Sequence, residues 1–508
     1  MSTNPTGDPT PSGATSRTDT AALPGPVRTA LAVLVFTAFV MMLNETTLGV
    51  ALPSIMADYS ISAATAQWLL TGFMLTMAIV LPTTGWVLER FSTRSVFVFA
   101  TVIFLVGTVI AALAPSFALL LLARVAQAIG TAVVMPLLMT VAMTLVPSYR
   151  RGAVMGLIAV VMAVGPALGP TLAGVVLSFT TWHGIFWLMV PLVAIAAGIG
   201  AVRLTDVGER RDTPFDLLSV VLSVFAFGGL VYGLSSIGVI VRGGQEARIV
   251  MALLAVGVVG LALFVWRQLV RGRDDRALLD LRPLAVRNFT LLVVVLMSLM
   301  GAMLGVLNTL PLYLQGSLLV TALVTGLALM PGGLLEAVLS PIFGRLYDRL
   351  GPRPLIGPGM VIVTGSLFWL STVDQDTGLW LIVTIHVIFS VALAMLFTPL
   401  MTTALGSLPK HLYGHGSAIL NTLQQLAAAA GTATMLTIYS EVTAAARAGG
   451  APETVTIADG ANSAFLASAI VAVVALVASL FVTRPPSESG AGHAEAGAEG
   501  SPAAQLDS

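Results

Sequence analysis

The sequence predicts an all-α polytopic membrane protein with fourteen transmembrane helices. Of its 508 residues, 57% are hydrophobic and only 9% are charged, whereas charged residues make up about 25% of an ordinary soluble domain. Apolar runs of about 20 residues, long enough to cross a bilayer as helices, recur along the chain. Arg and Lys concentrate in alternate links between these runs, as the positive-inside rule requires.

The apolar runs fall into three groups along the chain. The first six lie near residues 29–51, 65–87, 96–113, 118–145, 153–177 and 184–202. Two more lie near 217–237 and 249–268. The last six lie near 289–312, 320–343, 355–373, 379–402, 415–439 and 462–483. This grouping predicts a six-helix bundle over 27–203, two inserted helices and a cytoplasmic linker over 204–287, and a second six-helix bundle over 288–483.

The two ends of the chain differ in composition from the rest. Residues 1–26 and 484–508 are rich in small and polar residues and are predicted to be disordered tails. If the N-terminus is cytoplasmic, nearly all of the 24 basic residues fall on the inner side. Arg242, Arg248 and Arg447 fall outside, and Arg124 lies within a span. This split predicts an inner-membrane protein with an even number of spans and both termini in the cytoplasm.

Several classes of function find no support in the sequence. The chain contains no cysteine, which excludes disulfides and thiolate metal sites. Its five histidines never form an HExxH pattern, and no nucleotide-binding GxxxxGK[ST] occurs. No basic cluster is interleaved with aromatic residues, as nucleic-acid binding would need. We therefore expect no metal, no cofactor, no nucleic-acid partner and no enzymatic activity.

An internal repeat links the two predicted bundles. GWVLERFSTR begins at Gly85 after the second span, and GRLYDRLGPR begins at Gly344 after the tenth. Each segment places a Gly, then an acid, then two Arg at the same spacing. The candidate gating residues are Gly85, Glu89, Arg90, Arg94, Gly344, Asp348, Arg349 and Arg353. Between the inserted helices and the second bundle, the charged link 267–287 is predicted to be an amphipathic segment on the membrane surface.

These residues resemble the major facilitator superfamily, in particular its fourteen-helix drug:proton antiporter family and the lincomycin-exporter-like members within it. Glu89 and Ser92 stand where that family more often has Asp and Gly, and Ala128 stands where Gly is common. Glu45 occupies the position of the usual Asp. The other matches are Arg124, Gln127 and Gly130 in the fourth span, Gly165, Pro166, Gly169 and Pro170 in the fifth, and Trp182, Phe186 and Pro191 after it. The resemblance implies the major facilitator fold, alternating access, gating loops that close the cytoplasmic side, and a hinge at the antiporter motif of the fifth span.

Glu45 and Arg124 are the central candidates for proton coupling. A charge inside a membrane span is costly and is rarely present without a partner or a task. Each residue lies about 9 Å from the outer end of its helix, so the two could sit at one level. Burial and a nearby cation act in opposite directions on the pKa of a carboxyl, so Arg124 could tune proton binding at Glu45. A permanent buried ion pair, or direct contact of Glu45 with a cationic substrate, remain alternatives.

Other polar residues within spans are weaker candidates. Glu336 could carry a second proton or be a satisfied polar group between helices. His386 could titrate near neutral pH or simply pack between helices. The candidates for substrate binding are Asn44, Gln127, Asn308, His386, Asn421 and Gln425. Amides at such positions could instead lock helices together.

Taken with the resemblance, these features predict a proton-coupled antiporter that exports amphipathic drugs or toxic compounds across the inner membrane. Its expected partners are a proton, a small amphipathic substrate and the lipid bilayer, and it is expected to act as a monomer. An exporter of an endogenous lipid, fatty acid or metabolite is one alternative. A membrane receptor or channel without coupled transport is another.

Overall fold

The computed structural model describes residues 24–206, 214–274 and 276–483. The predicted disordered tails therefore lie almost wholly outside the described residues, as does part of the link between the first bundle and the inserted helices. In the described ranges the chain is helical, with short connections.

The helices are long and follow one another closely. The first six are α1 (Gly25–Tyr59), α2 (Ala63–Arg90), α3 (Thr93–Leu113), α4 (Phe117–Leu145), α5 (Arg151–Phe179) and α6 (His183–Arg203). The inserted segment holds α7 (Leu217–Ser235), the short α8 (Ile237–Arg242) and α9 (Gly244–Gly272). The last six are α10 (Arg287–Gly316), α11 (Ala322–Leu350), α12 (Arg353–Leu370), α13 (Leu379–Gly406), α14 (Tyr413–Ala448) and α15 (Glu453–Ser479).

Within the described ranges, 13 helices are long and apolar enough to cross a membrane. This confirms an all-helical, multi-pass protein but does not confirm the count of fourteen. The long helix missing from the 13 is α14, whose 36 residues include Asn421, Gln424 and Gln425. These amides lower its average hydropathy, so length and composition alone do not identify it as a span. The division into two six-helix bundles stays a prediction.

The turns of the two gating loops are built differently, although their sequences repeat. In the first loop Ser92 has a φ of −64° and caps α3, its hydroxyl accepting a hydrogen bond from the amide of Ser95 at 3.1 Å. In the second loop the corresponding residue, Gly351, has a φ of +80° at the end of α11. Residues other than glycine rarely adopt a positive φ. Glycine is therefore required at 351 but not at 92, which explains why the family's usual glycine can be Ser here.

Helices from the first and last groups meet along two seams. At one seam α5 packs against α11, and at the other α2 packs against α14. The inserted helices cover only the second seam, because α7 packs against both α2 and α14. The Ser223 hydroxyl of α7 lies 3.4 Å from the Ile79 carbonyl of α2, and Tyr232 stacks on Trp68.

The inserted helices are held together by close packing and by an ion pair. A Cβ on Gly229 of α7 would lie 2.7 Å from Gly257 of α9, so the two backbones touch. At the cytoplasmic end, Arg267 donates two hydrogen bonds of 2.8 Å to the carboxylate of Asp216. The hydroxyl of Ser219 donates another at 2.8 Å. This buried carboxylate fixes the start of α7 against the end of α9.

We expect Asp216→Asn to lower the stability of the protein at neutral pH by about 1.5 kcal/mol, the lower end for hydrogen bonds to charged groups. Burial alone would raise the pKa of the Asp216 carboxyl, but hydrogen bonds from Arg267 and Ser219 outweigh it and hold the pKa below its usual 3.8. A lowered folded-state pKa stabilises the protein above the usual value, and this contribution is lost as pH falls through the folded pKa. Tryptophan-monitored thermal denaturation should therefore separate variant from wild type at pH 7 but not in strong acid. Asn still caps a helix, so an equal loss at every pH would contradict the role of the charge.

The prediction of a surface-lying amphipathic segment over 267–287 is wrong. Arg267 belongs to α9, and in the linker that follows residues 277–280 are buried, whereas Arg273, Asp274, Arg276 and Arg282 are exposed. Leu278 is 1% exposed and Asp280 is 5% exposed. The backbone amides of Leu279 and Asp280 are bound by side chains from other helices, which the charge pattern of the linker does not reveal.

Candidate functional site

Glu45 lies in the stretch of α1 against which α5 packs. The Thr46 hydroxyl of α1 lies 3.3 Å from the Gly165 carbonyl of α5, and a Cβ on Gly165 would lie 3.0 Å from the side chain of Met42. A Cβ on Gly169 would overlap the Thr46 side chain. The two glycines of the antiporter motif therefore let α5 lie directly on the stretch of α1 that carries Glu45. A change in the bend of α5 would therefore move this stretch of α1 through direct contact, with no other helix between them.

Arg124 of α4 is fully buried. Its Nη1 donates to the Gln127 side chain at 2.8 Å, and its guanidinium carbon lies 4.2 Å from the centre of the Phe73 ring. Gln127 in turn donates to Thr108 of α3 at 3.0 Å. Three groups thus hold the guanidinium directly, since its Nε also donates to the Leu69 carbonyl of α2 at 3.4 Å.

Glu45 and Arg124 interact electrostatically. Across the described ranges they form neither a hydrogen bond nor an ion pair within 4.0 Å of each other. The permanent ion pair considered from sequence is therefore absent in this conformation. The separation leaves each group able to respond to the charge of the other while remaining free to change partners.

Unused hydrogen-bonding capacity lies beside this pair of charges. The Arg124 Nη2 atom and both side-chain polar atoms of Asn44 are buried without a hydrogen-bond partner. Buried polar groups are almost always bonded, and leaving one unbonded costs about 1 to 3 kcal/mol. Asn44 precedes Glu45 directly in α1, so these unbonded polar atoms belong to Arg124 and to the residue next to Glu45. Such a site is suited to bind a further polar group or to re-pair when the helices move.

We expect Arg124→Lys to lose most of its coupled transport, because an ammonium cannot reproduce the planar fork that binds Gln127 and stacks on Phe73. Substrate uptake driven by a pH gradient measures this loss. Arg242→Lys, at an exposed residue of α8, is a matched control and should behave as wild type. Unaltered coupling in Arg124→Lys would show that only the charge matters, not the fork.

The second gating loop closes the seam between α5 and α11. The Asp348 carboxylate accepts hydrogen bonds from the amides of Gly152 at 2.7 Å and Ala153 at 2.8 Å. These amides belong to the first turn of α5, where a negative charge is favoured. Gly344 touches Gly152 so closely that a Cβ on either residue would overlap the backbone carbonyl of the other. The start of α5 and the end of α11 are thus in direct contact.

The first gating loop makes the corresponding contact at the other seam. Glu89 of α2 lies 3.1 Å from Nε2 of His415, in the first turn of α14. A Cβ on Gly85 would overlap the His415 ring. Each acid of the repeat therefore binds the first turn of a helix from the other group. Sequence reasoning missed His415, although its place at the start of a span opposite a gating loop was a usable signal.

The remaining candidates are more dispersed. His386 of α13 packs against Gly332 of α11, where a Cβ would lie 2.8 Å from its Nε2 atom. Glu336 is half-buried one turn further along α11. Asn421 donates to the Ser417 carbonyl of its own helix and Gln425 to the Met77 sulfur. Asn308 donates to the Leu304 carbonyl of its own helix and, at 3.5 Å, to the Thr432 hydroxyl of α14. Of the gating-loop arginines, Arg94, Arg349 and Arg353 are exposed and Arg90 is half-buried. Their roles stay predictions.

The roles predicted for Pro166 and Pro170 depend on a bend in α5, and α5 runs without interruption from Arg151 to Phe179. The side chain of Pro166 lies outside the described residues, and Pro170 is exposed. The hinge stays a prediction. What the structure supplies is the close approach of α5 to α1 at the motif's glycines.

Comparison with known proteins places these features in a family. The sequence profile of the Major Facilitator Superfamily matches residues 34–432. The chain is 39% identical over 459 residues to "Lincomycin resistance protein LmrB" of Bacillus subtilis (strain 168), covering 89% of this chain and 95% of that protein. It is 38% identical over 452 residues to the protein of the same name from Listeria monocytogenes serovar 1/2a, covering 88% and 94%.

A solved structure agrees with this at the level of fold. The crystal structure of the human organic anion transporter MFSD10 (TETRAN) superposes with a TM-score of 0.63 at 14% identity, covering 90% of this chain and 100% of that one. The predicted resemblance to lincomycin-resistance transporters is confirmed by the sequence relatives. The chain belongs to the major facilitator superfamily of membrane transporters and is not an enzyme.

Proposed function

We propose that this protein is a proton-coupled antiporter that exports amphipathic drugs across the inner membrane by alternating access. The names of its sequence relatives support drug efflux. The observation that carries proton coupling is the placement of Glu45. It is a carboxylate inside a span, under the influence of the Arg124 charge, and it forms no hydrogen bond or ion pair with the residues that the structure describes; it lies on the stretch of α1 that α5 touches.

The coupling follows from how protonation changes this site. An ionised Glu45 is attracted to Arg124, and a protonated Glu45 is not. Any attraction that differs between two arrangements of the helices shifts the balance between them. Because α5 contacts α1 at Thr46 and contacts α11 at its cytoplasmic end, a shift at Glu45 can reach the cytoplasmic seam through one helix. Proton binding would favour one opening of the transporter, and substrate binding the other.

The available driving force is sufficient for this scheme. Each proton moving inward supplies about 1.4 kcal/mol per pH unit and about 2.3 kcal/mol per 100 mV of membrane potential. Under ordinary gradients one proton per neutral substrate would sustain accumulation of about tenfold or more. In this proposal both termini lie in the cytoplasm, and the contacts around Asp348 and Glu89 close the cytoplasmic side, so the described conformation faces outward.

Transport by purified protein in liposomes tests the proposal. The protein is inserted with its cytoplasmic side outward, and the lumen is made acidic relative to the bath. We expect a lipophilic cationic dye and lincomycin, each tested in its own assay, to accumulate in the lumen and each to release luminal protons in step with its uptake. Uptake that ignores the pH gradient would refute proton coupling. Failure of even downhill exchange would favour a receptor.

A further inference from the structure

The buried linker is linked by hydrogen bonds to the inserted helices at one end. Gln268 of α9 is 1% exposed and uses both ends of its amide. Its nitrogen donates to the Ser219 hydroxyl of α7 at 2.8 Å, and its oxygen accepts from the backbone amide of Leu279 at 3.1 Å. The inserted pair and the linker are therefore fastened at one residue.

The next linker residue is bound to the gate. The backbone amide of Asp280 donates to Nδ1 of His415 at 3.2 Å. Because Nδ1 accepts, Nε2 of the same ring carries the hydrogen that faces Glu89. The Asp280 side chain is used locally, accepting from the backbone amide and the side chain of Arg282. This bond to Arg282 fixes the turn that presents the Asp280 amide to the ring.

These contacts form one continuous path from the insert to the gate. It runs from Ser219 through Gln268, Leu279 and Asp280 to His415, and ends at Glu89 on α2. His415 is 2% exposed, and both of its ring nitrogens are used. The ring can meet α2 and the linker together only while the cytoplasmic ends of α2 and α14 are close. Opening that end would break the contact of His415 with Glu89 or its hydrogen bond with Asp280.

We propose that the linker and the inserted helices are a third part of the cytoplasmic gate, and that His415 is the positioning residue through which they stabilise its closed state. The helices on either side of the seam supply the first two parts. This inference rests on alternating access, which belongs to the function proposed above, but not on proton coupling or on the identity of the substrate. This path of contacts acts before and independently of any chemistry at Glu45.

The distance between two spin labels tests this path of contacts, which we call the relay. The labels are placed at the seam between α5 and α11, which the relay does not contact. The chain contains no cysteine, so labels attached at Tyr149→Cys and Leu350→Cys react nowhere else, and no native cysteine has to be replaced. Both positions are 52% exposed and lie near the cytoplasmic ends of α5 and α11. Variants His415→Gln, Gln268→Met and their combination are compared in this background. Gln245→Met, at an exposed residue of the same helix as Gln268, is the matched control.

We expect His415→Gln and Gln268→Met each to increase the ratio of the population with the long label distance to the population with the short one. The increase should be about twofold to tenfold, which corresponds to weakening the closed state by the net contribution of one hydrogen bond. Because the two residues act along one path, the double variant should shift no further than His415→Gln alone. Gln245→Met should match wild type. The readout lies at the opposite seam, so a merely local loss of packing near His415 would not move it.

The opposite results overturn the relay. An unchanged distribution in folded Gln268→Met would show that the insert does not act on the gate. Fully additive shifts in the double variant would show two separate effects. If Gln268→Met does not fold, Gln268→Asn keeps the amide but withdraws it from Leu279, and it must give the same shift. If the wild-type protein shows no pH-driven transport but the label distances still shift in His415→Gln and Gln268→Met, the result would count against proton coupling and not against the relay.

Discussion

Replacing Glu45 by glutamine is expected to abolish substrate uptake driven by a pH gradient while the protein stays folded. Glutamine has nearly the shape of a protonated glutamate but can neither release nor bind a proton. Since Glu45 makes no ion pair within 4.0 Å of Arg124 in this conformation, the substitution breaks no contact pair and should cost little stability. Substrate binding and downhill exchange should persist, because these steps do not require the proton to leave.

The comparison needs two further variants. Glu45→Asp should recover part of the coupled uptake, because aspartate keeps a carboxyl that can bind and release a proton, on a side chain shorter by one methylene. Glu441→Gln, at an exposed position of α14, changes the same chemistry outside the spans and should behave as wild type. Wild-type coupling in Glu45→Gln would refute the role of Glu45 and move attention to Glu336, the other half-buried carboxylate within a span.

Replacing Gly344 by alanine is expected to open the cytoplasmic seam between α5 and α11. The added Cβ would overlap the carbonyl of Gly152, which is backbone and cannot rotate aside. Overpacking of this kind costs about 1 to 3 kcal/mol, and all of that cost falls on the closed arrangement. The closed-to-open ratio should therefore fall by roughly 5- to 150-fold. Asp348 would also be drawn away from the amides of Gly152 and Ala153.

A second glycine of the same helix provides the control. Gly333 has no atom within 4 Å of the position its Cβ would take, so Gly333→Ala should leave the ratio unchanged. Label distances across the seam measure both variants, and transport measured in parallel should fall only in Gly344→Ala. A wild-type distance distribution in Gly344→Ala would mean that the close approach of α5 and α11 does not hold the cytoplasmic side shut.

The spans could be predicted because each is decided locally, by an apolar run of sufficient length and by the charges at its ends. The helix α14 shows where composition alone is insufficient. Its amides reduce its hydropathy, whereas the repeat and the alternation of basic links predict a span there. The linker failed for the opposite reason. Its charges suggested a membrane surface, but Gln268 and His415, distant in sequence from Asp280, hold it inside the protein.

For the candidate site, too, some features can be read from the sequence and others depend on contacts between distant residues. Glu45 and Arg124 could be placed at a similar depth from the rise of a helix alone. That Arg124 is held by Phe73 and Gln127, and that Asn44 is left without a partner, depends on how side chains from several helices meet. His415 was missed because a histidine outside a known motif shows its role only through what faces it. Sequence locates charges well and partners poorly.

The inserted helices make the two sides of the molecule unequal toward the surrounding lipid. Where α2 meets α14, α7 adds a further layer of protein, whereas α5 and α11 pack on each other and on helices of the first and last groups. We therefore expect a compound that enters laterally from the bilayer to reach the interior more readily along α5 and α11 than along α2 and α14.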